Sequence, residues 1–163
     1  WVTGLPWKLA VGGHGAYASG QKAGESKITR FDPILPDAYA NCGPMSLIAW
    51  SNSIEGGGHL RLTPWREAGL MLGYRHLALA ETSDQWISGG LLQLGNSTTN
   101  SSRTLGNELD LSFSYAPFES LQFAAGYGAF LTGPGAKEIL KQAGRGSPDI
   151  QHFGYFQATM NIP

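Results

Sequence analysis

Charge is scarce in this chain: Asp, Glu, Lys and Arg make up 14% of its 163 residues, against about 25% in ordinary soluble domains. The formal net charge is −1 and the Lys and Arg residues are scattered, which excludes the clustered basic face that nucleic-acid binding needs. Long apolar runs are missing as well, since no stretch approaches the ~18 residues of a membrane-spanning helix. Cys42 is the single cysteine, so an internal disulfide is excluded, and with no CxxC or Cys/His pair no zinc site is expected. We read Cys42 as an inert loop residue. His14, His59, His76 and His152 have no metal-binding spacing, so neither metal nor cofactor is expected. Gly12-Gly13-His14-Gly15 and Gly56-Gly57-Gly58 precede neither Lys-Ser/Thr nor a helix, which excludes a phosphate loop. The chain opens on Trp1, within patterned sequence and without a leader, so residues 1–163 are expected to be a single β-barrel segment of a longer protein.

What the chain does have is glycine, 23 residues, about twice the usual ~7%, and a two-residue rhythm. From Glu108 to Tyr115 polar and apolar residues alternate without a miss, the mark of a strand with one wet and one greasy face. Ala116 to Ser120 reads as a tight turn around Pro117. The alternation then resumes, with Leu121, Phe123, Ala125 and Tyr127 on one face and Gln122, Ala124, Gly126 and Gly128 on the other. An earlier hairpin joins 59–63 to 69–79 through a turn at 64–68. In its second strand Leu77 and Leu79 fall on the polar side, which suggests a bulge or an exit from the membrane. Fainter strands are expected near 8–19 and 151–161, giving six in all.

Connection lengths alternate too. The turns at 64–68 and 116–120 are short, whereas 20–56, 80–104 and 132–150 are long and rich in Gly, Ser, Asn, Thr and Pro. Outer-membrane barrels have short periplasmic turns and long outer loops. A strand of ~10 residues tilted about 40° covers the ~25 Å apolar band. Trp65, Tyr115 and Phe118 near the short turns, with Tyr74, Tyr127 and Phe130 toward the other end, suit aromatic girdles at the two interfaces. The expected fold class is therefore all-β, an antiparallel up-and-down transmembrane β-barrel. Six strands cannot close one, because the smallest have about eight, so further strands are expected elsewhere.

The segment Phe31-Asp32-Pro33-Ile34-Leu35-Pro36, then Gly43 through Trp50-Ser51-Asn52 and the strand ending in Thr63-Pro64, resembles the F-D-P-L-x-P loop, W-x-N step and turn of alginate-export-type outer-membrane proteins. Gly106 to Leu111, Tyr115-Ala116-Pro117 and Ala125 to Gly133 resemble that family's last hairpin, with its G-x-E-x-D-L start and G-Y-x-x-F-x-x-G end. The likeness covers roughly 30–160. It implies a monomeric barrel of about eighteen strands, with this chain as its C-terminal third, exporting an anionic polysaccharide through a lumen lined with basic residues. Two features depart from the pattern: Thr63 stands where a basic residue precedes the Pro, and the chain ends Asn161-Ile162-Pro163 where the family favours an aromatic.

Alternation names the pore-lining residues expected: His59, Arg61, Arg75, Glu108, Asp110 and Gln122, with Ser112, Ser114, Gly126 and Gly128 as a smooth uncharged patch. A charged ring in a pore selects the opposite sign, so Arg61 and Arg75 suit a track for uronate carboxylates. Cross-strand salt bridges among Arg61, Arg75, Glu108 and Asp110 are the structural alternative. Glu81 and Asp84 beside Trp86 form the one loop pair that suggests acid chemistry, and loop acids are ordinarily solvated, so no enzyme is expected. Asn96-Ser97-Thr98 and Asn100-Ser101-Ser102 match a glycosylation pattern and read as a flexible outer loop. The expected partners are outer-membrane lipid, a polysaccharide solute and a periplasmic or envelope protein. The competing functions are a plugged scaffold barrel in an envelope complex, or a soluble β-barrel with Leu60, Leu111 and Phe123 packed inward around a small ligand.

Overall fold

The computed structural model describes residues 6–34, 43–90, 92–94 and 100–161; Cys42, Leu35-Pro36 and the 96–98 motif lie outside these. Six long strands follow one another as an antiparallel meander: β1 (Ala10–Ala18), β2 (Ser53–Leu62), β3 (Ala68–Ala78), β6 (Thr104–Phe118), β7 (Leu121–Thr132) and β8 (Ile150–Met160). A two-stranded ribbon of β4 (Trp86–Ile87) and β5 (Gln93–Leu94) sits within the connection from β3 to β6. β1 and β8 are the sheet's two edges.

All six strands read from alternation are present, several of them longer than their rhythm shows. β2 begins at Ser53, because Gly56-Gly57-Gly58 carries no hydropathy contrast yet pairs on both sides. β6 runs through Ala116 and Pro117, so the turn expected at 116–120 shrinks to Glu119-Ser120. Proline cannot donate to a ladder; accordingly the β6–β7 register slips between Tyr115 and Phe118, and the Ala116 amide donates instead to the Glu67 carbonyl of the neighbouring turn. The bulge suggested near Leu77 is present, as a register shift between Leu77 and Ala78 against β6.

The period-2 rhythm separates two faces. On one, Val11, Leu60, Leu72, Leu111 and Tyr127 stand in register across five strands, and each is more than 40% exposed. Phe123 stacks on Phe156 on this face, and Trp65 packs against Phe113 and Tyr115 near the short turns. Leu60 and Leu111 are exposed, which overturns the inward packing that a soluble ligand-binding barrel requires.

The core lies at the other end, among the long connections. Ile48, Leu77, Leu79, Trp86, Leu105, Phe130, Ala136, Ile139 and Leu140 form one buried cluster. Phe130 is therefore no girdle residue: alternation puts it on the opposite face from Tyr127, and it is fully buried against Trp86 at a ring distance of 6.4 Å. Leu77 and Leu79 are buried for the same reason, since the polar face is dry where the connections fold over it. Part of the cluster comes from a helix, α1 (Pro134–Gln142), that the loop composition of 132–150 does not announce. Pro134 opens it with preset φ, and Gly144 (φ 67°) lies just past its end, the asymmetry expected of helix termini. Glu138 on α1 accepts from the Ser101 hydroxyl and amide, which hold its carboxyl below the usual range.

Candidate functional site

The second face carries the polar side chains. Successive rows across the sheet are His14, Arg75 and Glu108 at the connection end, then Gly12, His59, Gly73, Asp110, Gly128 and Phe153, then Arg61, Met71, Ser112, Gly126 and Tyr155. Bulky and glycine positions alternate along the middle row, so the side chains lie across their neighbours. A Cβ at Gly12 would stand 2.4 Å from the His59 ring, and one at Gly128 would stand 2.8 Å from Met45 and 3.2 Å from the Asp110 carboxylate. Glycine here makes room for side chains of other strands, which accounts for much of the glycine excess in the strands.

All six residues expected from alternation occupy this one face, and the structure sorts them by depth. His59, Arg61 and Gln122 are exposed. Arg75 is half-buried, and Glu108 and Asp110 are buried beneath the segment that begins at Gly43. Arg61 is paired with Met71, four residues along β3 from Arg75, a separation of about 13 Å at the usual rise.

Glu55, which alternation did not single out because three glycines follow it, is the organising residue at the connection end. Its carboxylate is 2.9 Å from His14 Nε2 and 3.3 Å from Arg75, which links β1, β2 and β3. Arg75 stands opposite Glu108 in the ladder, and its guanidinium reaches across to the Glu55 carboxylate on the strand to its other side. The Met45 amide donates to Glu108 (3.3 Å), Met45 covers Gly128, and the Arg75 guanidinium abuts Gly43, whose φ of 77° favours glycine. One oxygen each of Glu108 and Asp110 is buried with no hydrogen-bond partner among the described residues. Residues 43–52 thus form a strap held on the polar face by an amide, a guanidinium and a methionine. Beside it lie two cavities of about 380 and 590 Å³ that share Pro44, Met71, Arg75 and Asp110.

Asp84 and Glu81, the two acids beside Trp86, are tied into the packing of the long connections. Asp84 is buried and accepts from the Gln21 and Gln85 amides and from Arg30, while Glu81 lies 3.8 Å from Arg103. The Asn52 side chain ties this knot to the strap by donating to the Glu81 and Gln85 carbonyls. The histidines are dispersed, and among the described residues no group of His, Cys, Asp and Glu is placed to hold a metal.

The chain is all-β, an open antiparallel meander of six long strands that divides an apolar face from a polar one, with short turns at one end and long packed connections at the other. The profile of the alginate export family matches residues 2–145, and the chain belongs to that family, a transport family of the outer membrane with a general role in polysaccharide export. Nothing among the curated proteins or the solved structures matches it.

Proposed function

We propose that this chain is part of the wall of an outer-membrane pore through which an anionic polysaccharide leaves the cell. The observation that carries the reading is the exposed apolar face, in register across the sheet and backed by a face holding His59, Arg61, Arg75, Asp110 and Gln122. In water a contiguous apolar face is unusual on a monomer and marks a surface that meets another apolar phase or a partner; against hydrocarbon it is the ordinary exterior of a barrel strand. The edges at β1 and β8 would leave backbone groups without partners in lipid, so further strands close the barrel. Arg61, exposed and remote from the carboxylates around Arg75, is the cation best placed to meet a uronate.

Conductance of the full-length protein in planar bilayers tests this. Wild-type protein should open ion-conducting channels that favour anions. Arg61→Glu should lower that preference about two- to threefold at low salt, where charge on a pore wall is least screened. Absence of conductance would favour a second reading, a plugged scaffold barrel, which one observation supports: the strap at 43–52 lies across the polar face, anchored on Arg75 and Glu108.

A further inference from the structure

We propose that Phe153 and Tyr155 on β8 form a stacking platform for the sugar rings of the exported chain, a subsite that rests on the export reading above and adds an uncharged contribution to it. Two aromatic rings on the polar face need an explanation, because every other large aromatic described on the six strands either belongs to the apolar face or, like Phe130, lies in the core. Phe153 is 38% exposed and its ring centroid lies 6.1 Å from that of Tyr155, so the two form one adjoining surface.

Their neighbours on β7 are the two glycines of the smooth patch, with Gly128 paired to Phe153 and Gly126 to Tyr155. A Cβ at Gly126 would lie 2.3 Å from the Tyr155 ring, so that ring reclines on bare backbone and does not stand out from the wall. A reclining ring offers its π face, the part that meets the C–H face of a pyranose, whereas an upright ring offers its edge. Both line the cavity of about 590 Å³ together with Arg75, Asp110, Ser112 and Gln157. Guanidinium, carboxylate, hydroxyl and amide around an aromatic floor are the complement of a sugar, apolar on its faces and hydroxylated at its rim. A purely electrostatic track would need none of the aromatic part. The ligand class is therefore a pyranose polymer recognised ring by ring, whether or not its rings carry carboxylates.

Calorimetry of the full-length protein in detergent micelles with a uronate hexasaccharide, and with the same hexasaccharide after its carboxylates are reduced to alcohols, decides the matter. The wild type should bind both. Phe153→Ala with Tyr155→Ala should weaken both by about tenfold, Tyr155→Phe should bind like wild type because the ring is kept, and Arg61→Glu should weaken the charged saccharide alone. Gly126→Val, which leaves both rings in the sequence but displaces Tyr155, should behave like loss of Tyr155. Equal binding by wild type and the double alanine variant would overturn the platform, as would failure of the wild type to bind either saccharide. Bilayer conductance of the same preparations keeps the two readings apart: a conducting wild type whose saccharide binding ignores both substitutions is a pore without this subsite, and a non-conducting one that loses binding in the double variant has the subsite without the pore.

Discussion

At the scale of single residues, the most consequential is Glu55. Its side chain is 2% exposed and meets both His14 and Arg75, and Arg75 in turn lies against the strap at Gly43. Removing one member of a buried pair leaves the other's charge uncompensated, which costs more than the pair itself contributes. Glu55→Ala should therefore destabilise the folded protein by about 2–4 kcal/mol, the lower part of that range reflecting the partial exposure of Arg75. Urea unfolding of the full-length protein in lipid vesicles measures it, with Glu119→Ala, at the exposed turn between β6 and β7, as a control expected to move stability by less than ~0.5 kcal/mol. Glu55 was illegible from the sequence for a physical reason. It sits at the head of Gly56-Gly57-Gly58, which has no polar–apolar contrast, so neither its strand nor its facing could be read. Arg75, Glu108 and Asp110 were legible because Leu72, Tyr74, Leu109 and Leu111 mark the other face.

Among elements, the strands and the long connections differ in what holds them. The strands are held by their ladders, while the connections are held by a conventional dry core in which α1 contributes Ala136, Ile139 and Leu140. Ile139 is fully buried, and its truncation loses transfer energy and leaves a cavity. Ile139→Ala should cost the connection end about 2–4 kcal/mol and loosen the packing of Trp86 on Phe130. A lowered urea midpoint for Trp86 fluorescence, followed in a version with the other tryptophans replaced, would register it; an unchanged midpoint would show that α1 does not stabilise this end. The helix signals were in the sequence: Pro134 at the start, Gly144 past the end, and apolar residues at 136, 139 and 140. They were outweighed by the loop-like Gly, Ser and Pro composition around a helix of nine residues.

For the whole molecule, the question is which solvent each face meets. Leu111 and Ser112 are neighbours in β6 facing opposite ways, so one substitution placed at both positions compares the two faces at one depth. An Arg on the lipid side near mid-membrane costs about 2–4 kcal/mol, whereas lumen positions tolerate it. Leu111→Arg should accordingly reduce stability in vesicles by that amount and Ser112→Arg by less than ~1 kcal/mol; equal costs would remove the apolar face from lipid. Local alternation determined the strands and their two faces, because a strand's side chains must alternate wherever the two sides meet different surroundings, and the short turns between them determined the antiparallel meander. Which parts of the polar face are wet was decided by tertiary structure alone. Whether Glu108 is open or covered, whether Leu77 is stranded or buried, and whether Phe130 rings the barrel or fills a core all depend on where residues 43–52 and α1 come to rest, and contacts between residues so distant along the chain leave no period in the sequence.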